Sequence, residues 1–291
     1  MPSNETRAAL QLGNRTWWEA NPMTYDWTRT LGLSPGTAQF YAAIDERFFR
    51  SSAHFGHPDY PGEVPFSRQI DYAQLRGRPV LEIGCGAGAM AAVMARQGLC
   101  VHAIDITRNA IELTRRRFEL EGLSGGLWHA DAEALPLNAA SQAMVWSWGV
   151  IHHSANMQAI IDEIYRVLEP GGQAKVMVYH RHALRNWVLA GLNEGILRAK
   201  FLRRSYDDIL REVTDGYIAR HLTRRQVFRM FTAFDTVNIE LTDFANLTYL
   251  PGNVLVDRFL SKLPVAMRLK RRWDAFIASR WGWFMYVEAT K

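Results

Sequence analysis

Three glycines follow a short apolar segment in the run Val-Leu-Glu-Ile-Gly-Cys-Gly-Ala-Gly at residues 80–88. A glycine-rich turn between a strand and a helix lets the backbone approach a ligand closely and exposes the N–H groups that begin the helix. Asp105 ends the next apolar segment, where a carboxylate can accept hydrogen bonds from both hydroxyls of a ribose. The pattern therefore predicts a site for a nucleoside-containing ligand.

Polar residues also follow three later apolar segments. Asp131 comes after the third, where a carboxylate can accept a hydrogen bond from the amino group of an adenine. His152 and His153 follow the fourth segment, and His180 and Arg181 follow the fifth. Histidine can act as a general base near neutral pH, and a guanidinium binds carboxylate or phosphate groups through two parallel hydrogen bonds. These residues are candidates for the chemistry of a second ligand.

Short apolar strands that alternate with helices position all of these residues. The predicted strands cover 80–83, 100–105, 127–130, 143–148, 173–179, 234–241 and 283–289, and the predicted helices include 89–97, 107–121 and 157–168. Thr107 is the expected N-cap of the second helix, and Glu-Pro-Gly-Gly at 169–172 predicts a helix end and a turn. Such alternation is typical of a parallel sheet, whose ligands bind beyond the carboxyl ends of the strands.

Together these motifs resemble those of the class I S-adenosylmethionine-dependent methyltransferases, most closely the small-molecule branch that includes ubiquinone, menaquinone and natural-product methyltransferases. The motifs that carry the resemblance are E-x-G-x-G-x-G at 82–88, Asp105, D-A-E-x-L-P at 131–136 and V-L-x-P-G-G at 167–172. The resemblance implies an α/β fold with a Rossmann-like, mostly parallel seven-stranded sheet, helices on both faces and an antiparallel last strand. We expect residues 1–70 to form an aromatic-rich helical cap and 71–291 the methyltransferase domain, with helical additions on the acceptor side at 181–232 and 243–281.

The resemblance also assigns cofactor contacts, with S-adenosylmethionine as methyl donor and S-adenosylhomocysteine as product. It implies that Glu82 supports the glycine loop near the amino-acid end of the cofactor, and that Asp105 holds the ribose hydroxyls. Asp131 would bind the adenine amino group. The remaining implied contacts are Gly84, Gly86 and Gly88 along the methionine and ribose, Ile106 and Ala132 at the adenine, and Ser147 and Trp148 beside the sulfonium.

The acceptor is expected to be a small molecule methylated on oxygen, with nitrogen or carbon as open alternatives. His153 or His180 is the candidate base or acceptor-positioning group, and His152, Arg181 and Tyr25 are further candidates. The alternative for the histidines is a cap or a backbone hydrogen bond, and for Arg181 it is a surface ion pair. A quinone-, polyketide- or lipid-like acceptor agrees with the aromatic N-terminal segment and the basic C-terminal segment.

The net charge of +5 comes entirely from residues 262–291, which hold seven basic and two acidic residues. An excess of positive charge that is confined to one short segment is not typical of a nucleic-acid-binding protein. The segment 262–283 combines tryptophans with arginines and lysines, a pattern compatible with peripheral contact to an anionic membrane or with a helix packed on the sheet. A homodimer is also compatible with the sequence.

Several other classes of protein are disfavoured. No run of 18 uncharged apolar residues and no apolar signal segment is visible, and Cys85 and Cys100 are too few for a disulfide scaffold, so we expect a cytoplasmic protein. His54 and His57 lack partners at metal-ligand spacing, and no metal is expected. An NAD-dependent oxidoreductase stays an alternative, although no Tyr-x-x-x-Lys motif is present. The glycine loop and the two carboxylates disfavour a non-catalytic membrane-surface binding protein.

Overall fold

The computed structural model describes residues 4–23, 32–51, 64–242 and 264–291. The strands are β1 Pro79–Ile83, β2 Cys100–Asp105, β3 Gly126–His129, β4 Gln142–Trp148, β5 Leu168–His180, β6 His221–Leu222, β7 Thr236–Thr242 and β8 Phe284–Thr290. Within the described residues they form one eight-stranded sheet in the order β3-β2-β1-β4-β5-β8-β7, and β6 pairs with β5.

The five strands from β1 to β5 are parallel, and β8 lies antiparallel between β5 and β7. Residues 80–83 of β1 and 142–147 of β4 are buried, because helices cover both faces of a parallel sheet and its central strands are mostly apolar. The Rossmann-like α/β fold and the antiparallel last strand are therefore confirmed.

The helices connect these strands and cover the sheet. Their bounds are α1 Asn4–Ala20, α2 Ala38–Ser51, α3 Ala89–Arg96, α4 Arg108–Glu121, α5 Met157–Val167, α6 Leu184–Asn186, α7 Tyr206–Glu212, α8 Arg224–Met230 and α9 Pro264–Trp281. A π-helical stretch, Trp187–Leu197, continues α6, and short 3₁₀ turns lie at Ile151–His153 and Lys200–Leu202. Ile160 and Ile164 of α5 pack into one core, and Met90 and Met94 of α3 pack into the core on the other face.

Local sequence explains where these helices begin and end. The hydroxyl of Thr107 accepts a hydrogen bond from the backbone N–H of Ala110 at 3.3 Å, so the predicted N-cap of α4 is confirmed. Asn156 caps α5 in the same way, and Gly122 ends α4 in the left-handed conformation. The first turns of α3 and α4 consequently lie at the carboxyl ends of β1 and β2.

Two features differ from the predicted elements. The segment 169–172, predicted as a turn, belongs to β5, because the backbone of the C-terminal residue supplies its partners: Gly171 N–H donates to the Lys291 carbonyl at 2.6 Å, and Lys291 N–H donates to the Gly172 carbonyl at 3.0 Å. The strand β6 adds to the seven predicted ones, and its two residues are too few to give a hydrophobic alternation. Of the predicted segment 243–281, only 264–281 lies within the described residues, and it is helical.

Candidate functional site

A cavity opens at the carboxyl ends of β1, β2 and β4, with about 1540 Å³ of empty volume, part of it open to solvent. Of the residues assigned to the cofactor by resemblance, the cavity wall includes Glu82, Gly84, Gly86, Asp105, Ile106, Asp131, Ala132 and Trp148.

The glycine loop joins β1 to α3 through three residues with positive φ, namely 78° at Gly84, 54° at Gly86 and 73° at Gly88. A Cβ at Gly84 would lie 2.3 Å from Cγ2 of Val150, and one at Gly88 would lie 2.9 Å from Cγ2 of Thr114. Both positions therefore need glycine for space as well as for conformation. A Cβ at Gly86 would meet no atom of the described residues within 4 Å, so within this part of the chain the backbone here is open to a ligand.

Asp105 is held by the residues that follow it and by the glycine loop. Its Oδ1 accepts hydrogen bonds from the N–H and the hydroxyl of Thr107 at 2.9 and 2.8 Å, and its Oδ2 accepts one from the N–H of Gly86 at 3.1 Å. Burial raises the pKa of Asp105, and these three donors act in the opposite direction by favouring the charged form. The carboxylate is thereby fixed at the cavity wall.

Glu82 lies in the same wall and is 5% exposed. Burial raises its pKa to about 8, and the hydrogen bond from the N–H of Ala91 opposes that shift. A carboxyl group with this pKa is mostly protonated at pH 7. Its Oε2 has no hydrogen-bond partner within the described part of the chain, so it is available to a polar group in the cavity.

Asp131 and Ala132 form the wall next to β3. Asp131 Oδ1 accepts a hydrogen bond from the N–H of Glu133 at 2.9 Å. The Gln11 side chain, which comes from α1, donates to both carboxylate oxygens of Asp131, at 3.0 and 2.9 Å. Gln11 and Asn14 also line the cavity. No periodicity marks the first 70 residues, so these two were not predicted.

The other end of the cavity is aromatic. Trp148 lines it and also stacks on Trp146, with ring centroids 5.4 Å apart and planes within 7°. Tyr179 and Trp283 stack at 4.5 Å, and Phe284 lies 6.1 Å from Trp148 between ring centroids. Burial raises the pKa of Tyr179, so its hydroxyl stays protonated at neutral pH. This aromatic chamber, made of Trp148, Tyr179, Trp283 and Phe284, suits an apolar or aromatic molecule.

His153 is the candidate histidine that the structure brings to the cavity. Its Nδ1 lies 2.5 Å from the carbonyl oxygen of Ile218, and burial lowers its pKa to about 4. A carbonyl only accepts hydrogen bonds, so Nδ1 carries the proton of the neutral ring and Nε2 is left as an acceptor. Trp18 of α1 meets His153 edge to face, at 5.1 Å between ring centroids.

The other catalytic candidates lie elsewhere. His152 is fully buried against Tyr179 and is not among the residues that line the cavity. His180 and Arg181 are also not among the residues that line the cavity. The Nδ1 of His180 contacts the carbonyl of Gly282 at 3.0 Å, and Arg181 pairs with Asp207.

Ser147, a cofactor candidate, is also outside the wall: it is buried and donates to the carbonyl of Ile83 at 3.2 Å. Gly88, the N-cap of α3, is not among the lining residues, although its neighbours Ala87 and Ala89 are. Tyr25, His54 and His57 lie outside the described residues. Among the residues that the structure describes, no group of three or more His, Cys, Asp or Glu side chains is arranged to hold a metal ion.

The sequence from residue 80 to residue 172 matches the family described as "Methyltransferase domain". The chain is 27% identical to the methyltransferase GfsG of Streptomyces halstedii, in an alignment that covers 91% of this chain and 97% of that protein. The chain is a class I S-adenosylmethionine-dependent methyltransferase. The methyltransferase is also 25% identical to the ubiquinone biosynthesis O-methyltransferase of Psychrobacter arcticus, over 64% of this chain and 72% of that protein.

Among solved structures, phosphoethanolamine N-methyltransferase 2 of Haemonchus contortus in complex with S-adenosylmethionine shares the fold of the methyltransferase. The TM-score is 0.53 at 18% identity, over 85% of this chain and 57% of that one. The cofactor of the methyltransferase is S-adenosylmethionine. The wall has polar groups suited to this cofactor, including the fixed carboxylate of Asp105, the backbone at Gly86 and the Oε2 of Glu82, which has no partner among the described residues.

Proposed function

We propose that this methyltransferase methylates a hydroxyl group of a small amphiphilic molecule bound in the aromatic chamber. The observation that carries the proposal is the position of His153, a neutral histidine with a free acceptor nitrogen in the wall that the chamber shares with the glycine loop.

In the proposal the cofactor occupies the part of the cavity next to the glycine loop, and the acceptor occupies the aromatic chamber. Bound S-adenosylmethionine supplies a methyl group already activated by its sulfonium. In the proposed arrangement Asp105 accepts from the ribose hydroxyls, and Asp131 accepts from the adenine amino group beside Ile106 and the Ala132 backbone. Glu82 and the glycine loop lie along the methionine part. Trp148 borders the sulfonium, where an aromatic face stabilises a cation.

His153 then aligns the acceptor. Its Nε2 accepts the hydrogen bond of the hydroxyl and takes the proton as the methyl group is transferred. A ring with a pKa of about 4 is a weak base, so we assign most of its effect to orientation and to the exclusion of water. His180, His152 and Arg181 support the acceptor side without touching the reacting atoms.

One named relative, an O-methyltransferase of ubiquinone biosynthesis, supports an oxygen acceptor of quinone type. The predicted additions on the acceptor side, 181–232 and 243–281, lie outside the matched segment 80–172. We therefore propose that these additions, together with the cap at 1–70, select the acceptor.

The test is transfer of a labelled methyl group to a panel of alkylphenols and hydroquinones, with matched alkylamines as the alternative acceptors. We expect phenols to be methylated and His153→Gln to lower kcat at least tenfold while S-adenosylhomocysteine still binds. His182→Gln is the control, because His182 is exposed and outside the cavity wall. Methylation of the amines alone, or an unchanged kcat in His153→Gln, would contradict the proposal.

We further propose that α9 brings the enzyme to an anionic membrane surface where such acceptors dissolve. Its outward side holds Val265, Leu269, Trp273 and Phe276, with exposed fractions of 66, 62, 62 and 45%. Arg268 and Arg272 are exposed beside them, and basic residues next to exposed aromatic ones favour anionic headgroups. No helix in the described residues is long and apolar enough to cross a bilayer, so this contact would be peripheral.

Sedimentation with vesicles tests the membrane contact. We expect the protein to sediment with phosphatidylglycerol-containing vesicles and not with pure phosphatidylcholine, and Trp273→Glu to abolish sedimentation. Leu120→Glu, at a residue 54% exposed on α4, is the matched control. Equal recovery with both kinds of vesicle, or an unaffected Trp273→Glu, would count against the proposal.

A further inference from the structure

The first helix, α1, forms a wall of the cofactor cavity. Gln11, Asn14 and Trp18 line the cavity, and their spacing of three and four residues places them on one side of the helix. Leu12, on another side, is 55% exposed. The helix therefore presents a polar and aromatic face to the ligand, although it precedes the methyltransferase motifs by more than sixty residues.

Gln11 is held at both ends of its carboxamide. Its Nε2 donates to Oδ1 and Oδ2 of Asp131 at 3.0 and 2.9 Å, and its Oε1 accepts from the N–H of Ala155 at 3.0 Å. With both ends engaged, the amide fixes the plane of the carboxylate. A carboxylate offers about four lone-pair sites, so the Gln11 amide and the Glu133 N–H leave room for a further donor on Asp131.

The helix is also attached at its other end. The carboxylate of Glu19 accepts hydrogen bonds from the N–H groups of Arg108 and Asn109, at 2.9 and 3.1 Å, in the first turn of α4. A carboxylate is stabilised there because the N–H groups that begin a helix have no partner within it. The helix α1 thus bridges the two loops that carry Asp105 and Asp131.

Asn14 lies one turn after Gln11 and is 4% exposed, and its Oδ1 has no hydrogen-bond partner within the described residues. A buried amide oxygen without a partner is costly, so a polar ligand group is expected opposite it. This observation independently indicates that the α1 face belongs to a ligand site.

We infer that Gln11 is a positioning residue for adenine recognition, which acts by holding the carboxylate of Asp131 toward the adenine amino group. The inference rests on the role proposed for Asp131. It implies that the enzyme distinguishes adenine from hypoxanthine, whose carbonyl oxygen at the same position would face the carboxylate, and that this discrimination depends on α1.

Calorimetric titration with S-adenosylhomocysteine and with S-inosylhomocysteine tests the inference. In the native protein we expect the adenine compound to bind more tightly. Gln11→Met, which keeps length and helix propensity, should reduce the ratio of the two affinities by about tenfold, as expected for one hydrogen bond to a charged group. Leu12→Ala, on the exposed side of the same helix, should leave the ratio unchanged.

Asp131→Ala separates the inference from the role on which it rests. If Asp131→Ala leaves the affinity ratio at its native value, the proposed adenine contact is wrong and the inference is overturned with it. If Asp131→Ala abolishes the discrimination and Gln11→Met leaves it intact, the inference about Gln11 alone is refuted. Equal weakening of both ligands by Gln11→Met would also refute it, because a merely structural contact has that effect. Gln11→Ala serves as the second variant if Gln11→Met does not fold.

Discussion

Replacement of Asp105 by asparagine is the sharpest test of the cofactor site. Oδ1 of Asp105 accepts two hydrogen bonds from Thr107, and Oδ2 accepts one from the N–H of Gly86. Asparagine has the same shape, but it offers a single acceptor oxygen and a donor amide. The oxygen would satisfy the two Thr107 donors, so the amide would face the Gly86 N–H.

The size of the effect follows from this geometry. A hydrogen bond to a charged group contributes about 2 kcal/mol, and a buried donor left without an acceptor costs about 1 kcal/mol or more. Loss of one of the proposed ribose hydrogen bonds together with the disturbed Gly86 N–H should therefore weaken binding by about 3 kcal/mol. This corresponds to an affinity roughly 150-fold lower.

The assay is calorimetric titration of S-adenosylhomocysteine into the native protein, Asp105→Asn and Asp105→Ala, with circular dichroism to establish that each variant is folded. Glu112→Gln is the control, because Glu112 lies on the exposed side of α4 and pairs with Arg115 and Arg116 of the same helix. An affinity of folded Asp105→Asn within threefold of the native value would refute the reasoning.

Three further predictions concern stability and pH. Gly88→Ala should lower the free energy of unfolding by about 1–3 kcal/mol, because its Cβ would lie 2.9 Å from Cγ2 of Thr114 and its φ is 73°; denaturant unfolding that matches the native protein would contradict this. Asp45→Ala should destabilise the fold by about 3–5 kcal/mol, because Arg117 is fully buried and pairs with Asp45 at 2.6 Å; a loss below 1 kcal/mol would be inconsistent with that pairing. Finally, the free energy of unfolding should fall as the pH drops from about 6.5 to 4, because the unfolded chain binds a proton that buried His153, with its pKa of about 4, does not. The His153→Gln variant should lose about 3 kcal/mol of this pH dependence, and parallel curves for the two proteins would exclude that cause.

The parts of the site that are close in sequence could be predicted, because local rules determine them. Asp105 and Thr107 are two residues apart, and the same threonine caps α4 and donates to the carboxylate. The glycine loop follows directly from three glycines between a strand and a helix. The order of strands and helices, and with it the Rossmann-like fold, follows from the same kind of short-range pattern.

Contacts between segments that are distant in sequence could not be predicted from such local rules. Gln11 and Asp131 are 120 residues apart, and α1 shows no pattern that distinguishes a cavity wall from an outer helix. The resemblance implied a place for Trp148 beside the sulfonium, and the structure shows that its ring both stacks on Trp146 and lines the cavity. The neighbouring Ser147 is on the opposite face of the sheet, since successive side chains of a strand face opposite ways.

The sequence by itself determined the order of the strands, the glycine turn and the carboxylate at the end of β2, because each depends on residues within a few positions of one another. Only the tertiary structure decided between His152 and His153, which are adjacent and chemically identical. The carbonyl of Ile218, 65 residues away, orients His153 at the cavity wall, while His152 is enclosed against Tyr179. Orientation of this kind depends on the packing of segments remote in sequence, and periodicity and spacing carry no information about it.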